Sequence, residues 1–307
     1  MLYLLGAAAG AMMSVQTAVN SRLRSYVKTP FLSAMWSCLS SLILLLIMLL
    51  LTGGMALLTK DNFAGSSWWM FTGGFLGAFV LVGCIALFPI LGAVQTTILP
   101  IFGQILLGIL ADSFGWFGYE KKIMSAAAAV GIGILIAGII CAVVLPDMKG
   151  ASEKAAAGKN RLPWQCMGIL AGMASAAQSA VNGRLGAVTG SSLLASCISV
   201  VTVCLVVFLI NLRKGHFKSL RQLAGPKPPW WSLAGGLFGV GVVWSNAHAA
   251  PVIGTGMLMI FSVFGQLLFS ILIQHFGWLG SGRKRIRPVQ GAGLVLIFAG
   301  VVMAKML

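Results

Sequence analysis

Acidic side chains are nearly missing. Five Asp and Glu stand against twenty-one Lys and Arg in 307 residues, and charged residues of all kinds make up 8% of the chain. A soluble domain carries about 25% charged residues, so this chain cannot clothe a water-facing surface. With 59% apolar residues, it would collapse rather than stay disordered. The net charge of +16 has almost no aqueous surface on which to form a basic patch, which makes nucleic acid a poor partner. The acids are Asp61, Asp112, Glu120, Asp147 and Glu153, all in loops or at the ends of apolar runs. Exchange of lipophilic cations for protons would need a carboxylate at mid-membrane, so that mechanism is disfavoured. The six cysteines lie inside apolar runs without C-x-x-C spacing. They read as small packing residues, not as disulfides or metal ligands. There is no H-E-x-x-H, no carboxylate pair and no Ser/His/Asp set, so neither an enzyme nor a cofactor is expected.

What the chain has instead is apolar length. A bilayer-crossing helix needs about 20 apolar residues. Ten such runs occur, at 2–20, 31–52, 68–88, 90–112, 124–145, 164–182, 192–212, 230–249, 252–274 and 289–306. They are continuously apolar rather than alternating, which argues for helices over a barrel. Trp68, Trp69, Trp116, Trp164, Trp230, Trp231 and Trp278 fall at run ends, where amphipathic rings favour the headgroup region. The first run is expected to be a retained helix, because further spans follow at once. Pro89 and Pro251 sit where two spans nearly touch, and a tight turn is expected at each.

The two halves repeat. Adding 162 to a position carries Gln16, Asn20, Arg22 and Leu23 onto Gln178, Asn182, Arg184 and Leu185. It carries Trp68 and Trp69 onto Trp230 and Trp231, Pro89 onto Pro251, and Phe102-Gly103-Gln104 onto Phe264-Gly265-Gln266. No gap is needed anywhere. The chain therefore divides into a first five-helix repeat (1–146), a linker rich in Lys, Ala and Gly (147–163) and a second five-helix repeat (164–307). An odd number of spans per unit makes the second enter the membrane from the opposite side. The expected fold is an all-α polytopic membrane protein of ten transmembrane helices, arranged as two five-helix inverted-topology repeats. That architecture is associated with alternating access.

Loop charge sets an orientation. Sixteen of the twenty-one basic residues, from Arg22 to Arg287, fall on the side reached after the first span. The opposite side has Lys60, Lys121, Lys122, Arg184 and Lys305. The positive-inside rule places the richer side in the cytoplasm and both termini outside. The cluster Arg283–Arg287 would also meet anionic lipid headgroups.

Some of these residues carry a likeness. The first span has G-x-x-x-G at Gly6 and Gly10, followed by Q-x-x-x-N-x-R-L from Gln16 to Leu23; the fourth has F-G-Q at Phe102–Gln104. This set resembles the YdcZ-type inner-membrane exporters of the drug/metabolite transporter superfamily, here with two five-helix units fused. The resemblance covers nearly the whole chain. It implies a multi-pass carrier of small metabolites in a bacterial inner membrane, with export favoured.

Polar groups inside spans are the default candidates for the transport site. Gln16 and Asn20 are four apart and share a helix face. Gln16 and Gln266 both lie about 21 Å from the outer helix ends, while Gln104 and Gln178 lie about 21 Å from the inner ends. Inversion would thus make an inner and an outer amide layer. Amides donate and accept, which suits a small polar neutral or anionic solute. The competing reading is interhelical hydrogen bonding. Where the halves differ, Trp244, Asn246 and Gln95 become candidates for specificity, as does Asn182 through its pairing with Asn20. His248 is the candidate coupling group, since imidazole changes charge near neutral pH. The glycine pairs read as close helix contacts. A secondary carrier is the leading function, and a non-transporting assembly or accessory protein is the alternative. The expected partners are a small-molecule substrate, membrane lipids and, at most, a second copy of the chain.

Overall fold

A computed structural model describes residues 2–59, 61–118, 121, 125–141, 145, 162–217, 227–281, 283 and 288–305. Among these residues the regular structure is entirely helical. The α-helices are α1 (Leu2–Val27), α2 (Pro30–Leu51), α3 (Gly73–Phe114), α4 (Ala126–Ile139), α5 (Leu162–Val188), α6 (Ser192–Arg213), α7 (Gly235–Ile253), α8 (Thr255–Phe276) and α9 (Pro288–Lys305). Most of the expected linker falls outside the described residues, and α5 already begins at Leu162.

Among the described residues, six segments are long and apolar enough to cross a membrane: Leu2–Val27, Pro30–Leu51, Trp68–Phe88, Ser192–Arg213, Trp230–Ile253 and Met257–Phe276. Thr96–Gly108, Ala129–Ile139 and Gly291–Gly300 are shorter apolar stretches. Helix α5, which holds the expected span 164–182, is long but less apolar. It carries Ser175, Gln178, Ser179 and Asn182. The outer faces are greasy: Leu51 is 83% exposed, and the mated Trp68 and Trp230 are 80% and 81% exposed. Such a continuous apolar exterior belongs against lipid.

Helix α3 departs from the expected pair of separate spans. It keeps helical backbone from Gly73 through Pro89 to Phe114. A straight helix of that length would reach about 63 Å, twice the hydrocarbon thickness. Its contacts show that it folds back. A Cβ on Gly83 would meet Ala171, while one on Gly103 would meet the backbone of Ile169 and Met173 on the same turn of α5. Near Pro251 the chain also continues as helix, and the break falls at Gly254. Gly254 takes φ +81°, a conformation that costs glycine little.

Local signals recur at the same offset of 162. Thr29 accepts a hydrogen bond from the Phe31 amide at 3.2 Å to cap α2, and its mate Ser191 accepts from the Leu194 amide at 3.1 Å to cap α6. Both are N-cap hydroxyls. Left-handed residues precede the two caps, Lys28 at φ 63° and Gly190 at φ 68°. The turns after α3 and α8 share the strained pair Phe117 and Leu279, at φ 60° and 56°.

Tertiary contacts recur as well. A Cβ on Gly10 of α1 would overlap the Ser262 carbonyl of α8, and one on Gly172 of α5 would overlap the Pro100 carbonyl of α3. Gly138 and Gly300 make the equivalent close approach between α4 and α9. These contacts bring the backbones together as the small-residue pairs predict. The apolar core lies in two main clusters. One is built on Leu45, Ile85, Leu194 and Val207, the other on Ile101, Leu135, Val263 and Ile297.

Four cysteines, Cys38, Cys84, Cys197 and Cys204, are buried packing residues. Cys166 departs from that expectation. It is exposed, on the outward face of the first turns of α5.

Candidate functional site

The helices α1, α2 and α3 of the first half meet α5, α6 and α7 of the second around a cavity of about 80 Å³. By the measure in which one water takes roughly 10–15 Å³, it has room for several waters. Its lining follows the repeat. Apart from Ser37 and Ile85, every lining residue has its mate 162 positions away in the same lining. Met13 faces with Ser175, Gln16 with Gln178, Thr17 with Ser179, and Cys84 with Asn246. The cavity therefore lies on the axis that would exchange the halves. No ionisable acid or base other than cysteine lines it.

Two kinds of amide line this cavity. Asn20 is 1% exposed and Asn182 is 2% exposed. Asn20 Nδ2 donates to Ser37 Oγ at 3.2 Å, and Asn182 Nδ2 donates to Ser199 Oγ at 3.1 Å. Their Oδ1 atoms press on Gly235 and Gly73, where a Cβ would overlap them. Such contacts are the weak Cα–H···O type. Asn20 and Asn182 thus clamp α1 to α7 and α5 to α3 through glycines with no room for a side chain. Gln16 and Gln178 are less enclosed. Gln16 Nε2 reaches Ser37 Oγ only at 3.5 Å, which leaves its amide available to a solute.

The other expected residues are distributed differently. The depth argument groups Gln16 with Gln266 and Gln104 with Gln178, whereas the cavity joins Gln16 with Gln178. Depth counts rise along helix axes and ignores lateral position, which the packing of α1 on α7 and of α5 on α3 decides. Gln266 lines a second, smaller chamber of about 30 Å³. Gln104 is 1% exposed, lines neither cavity and leaves Nε2 without a partner. Asn246 lines the central cavity and has an unpartnered Oδ1. Trp244 packs beside the first core cluster and stacks on His248 with ring centroids 5.6 Å apart. His248 is exposed, with Nδ1 3.4 Å from Ser192 Oγ, and lines neither cavity. The Gln95 side chain lies outside the described residues. Sequence reasoning passed over Ser37, Ser41, Ser175 and Ser179. Ser175 and Ser179 stand three residues before Gln178 and Asn182, and Ser37 and Ser41 are four apart; that spacing was the available signal, but serine in an apolar helix is ordinary packing material.

No group of three or more His, Cys, Asp or Glu that could hold a metal occurs among the described residues.

A lipid-facing helical exterior around a polar cavity defines a polytopic membrane protein with an internal solute-sized site. The comparisons with known proteins identify its kind. The profile of the family described as "Putative inner membrane exporter, YdcZ" matches residues 1–141 and again residues 163–303, and the chain belongs to that family, with two of its units in tandem. No curated protein matches the sequence. A protein of known crystal structure aligns over 99% of this chain and 96% of its own, with a TM-score of 0.65 and 14% identity. That likeness is one of fold.

Proposed function

We propose that this protein is a secondary carrier that exports a small, neutral, polar metabolite by alternating access between two inverted five-helix repeats. The observation that carries the reading is the central cavity, lined by residues in mated pairs from both halves. A site on the axis between inverted units can be exposed to either side by rocking one half against the other. The lining supplies amides and hydroxyls without a charged side chain, which favours a neutral solute over an ion. Gln16 and Gln178 are the proposed contacts, with Thr17, Ser179 and Asn246 around them. Ten spans in two repeats are proposed, with the fold-back of α3 between Gly83 and Gly103 separating the third from the fourth.

The test is flux. Purified protein in proteoliposomes should move one or a few members of a panel of neutral polar metabolites down their gradients. No movement of any panel member above empty liposomes would sink the carrier reading. Orientation has its own test. The excess of basic residues on one side favours both termini lying outside the cytoplasm. A reporter active only outside the cytoplasm, fused after Leu307, should be active. A cytoplasm-dependent reporter fused there should be silent, and the reverse outcome overturns the orientation.

A further inference from the structure

The second chamber breaks the repeat. It lies between α1, the later part of α3 and α8, toward the end of the molecule where α1 finishes. It adjoins the central cavity, because Thr17 and Cys84 line both. Its walls mix apolar side chains such as Phe88 and Ile273 with polar ones, among them Ser14, Thr96, Thr97, Gln266, Ser270 and Gln274. The mates of Ser14, Phe88, Thr96 and Thr97 are Ala176, Ala250, Leu258 and Met259. Those four are buried together in one apolar cluster. At these positions the other half is thus apolar, although Gln104, the mate of Gln266, is buried there with Nε2 unpartnered.

Packing alone does not explain the polarity. Ser14 Oγ donates to the Gln266 carbonyl at 2.6 Å. Thr97 Oγ1 and Ser270 Oγ share a bond at 3.1 Å. Two buried groups remain without a partner, Thr96 Oγ1 and Gln266 Oε1, on residues 3% and 5% exposed. An orphaned buried polar group is costly, and two on residues that line one chamber favour a partner that can both donate and accept. No carboxylate or cation is among the lining residues, so a charged group would have no counter-ion there. At about 30 Å³ the space suits two or three waters, which is the size of one functional group.

We propose that this chamber is a second solute-binding subsite, which accepts a neutral hydroxyl- or carboxamide-bearing group beside the central cavity. It rests on the carrier reading in that the same solute visits both chambers. The route through the molecule is then unequal: polar toward one end, and closed by the apolar cluster toward the other.

The experiment resolves the two chambers. A cysteine placed by Ser270→Cys in the full-length protein, purified in detergent, is modified with methyl methanethiosulfonate and mapped by mass spectrometry. Propionamide and ethylene glycol serve as probes. Either probe should slow modification at position 270 about threefold or more, the effect of one or two hydrogen bonds. Adding Gln266→Met or Thr96→Val should remove the protection, while adding Gln16→Met should not. If Ser270→Cys folds poorly, Thr97→Cys reports on the same chamber. Absence of protection, or protection that survives both Gln266→Met and Thr96→Val, overturns the subsite. Loss of protection with Gln16→Met overturns its separateness. Because protection is read without transport, it is independent of the flux test: flux without protection rejects only the subsite, and protection without flux rejects only the carrier reading.

Discussion

Gln16→Ala should lower the initial rate of solute flux about tenfold while leaving expression and monodispersity intact, and Gln178→Ala should do the same. Each amide can make one or two hydrogen bonds to a solute in the cavity, and tenfold corresponds to about 1.4 kcal/mol, within the range for such bonds. The structural cost is small, because the hydrogen bond from Gln16 to Ser37 is a long one of 3.5 Å and its other contact is packing against Gly239. The two residues come from opposite halves, so their effects should multiply unless they grip the same atom of the solute. Asn20→Ala and Asn182→Ala should behave otherwise. They remove the bonds to Ser37 and Ser199 and the contacts on Gly235 and Gly73. Their loss should appear first as lowered thermal stability, by about 1–3 kcal/mol. Normal flux in both glutamine variants would reject the amides as solute contacts.

Gly10→Ala and Gly172→Ala should each destabilise the protein by about 3 kcal/mol or more, at the high end for overpacking. Two effects oppose each other. Alanine is a better helix former than glycine by about 1 kcal/mol. Against that, the new methyl on Gly10 would overlap the Ser262 carbonyl and lie 2.8 Å from the Gln266 amide nitrogen. Backbone cannot move aside as a side chain can, so the steric term wins and α1 must separate from α8. Gly133→Ala provides the contrast, since nothing lies within 4 Å of its would-be Cβ; it should be neutral or slightly stabilising. Melting temperatures of the three variants in one detergent decide the matter. Equal melting of Gly10→Ala and Gly133→Ala would show that the α1–α8 contact is not as close as described.

Much of the architecture was readable because membrane helices leave a strong signal. Long apolar runs place α2, α6, α8 and α9 to within three residues, while α1 runs seven residues past its expected end. The offset of 162 also anticipates which contacts recur, down to the caps Thr29 and Ser191. The turn at Pro89 was read as a break, yet the backbone stays helical there. Proline rules out one hydrogen bond but does not say where the chain bends. The site was legible in part. Gln16, Asn20, Gln178, Asn182 and Asn246 do line one cavity, but their separate tasks were not visible. Asparagine and glutamine have the same groups, and only the near-complete burial of each Asn, with its bond to Ser37 or Ser199, reveals the clamp. His248 is distinctive in sequence because it titrates, but a helix face is set by the neighbours that cover it, and α7 turns this one outward.

The sequence by itself determined the membrane environment, the helical class, the duplication and the family, because each depends on composition or on order along one chain. Only the tertiary structure decided that Gln16 shares a cavity with Gln178 rather than with Gln266. Only it could show that Ser14, Thr96 and Thr97 line a chamber while their mates are buried in an apolar cluster. Such facts depend on which helix faces meet, and that is settled by close packing between residues more than a hundred positions apart.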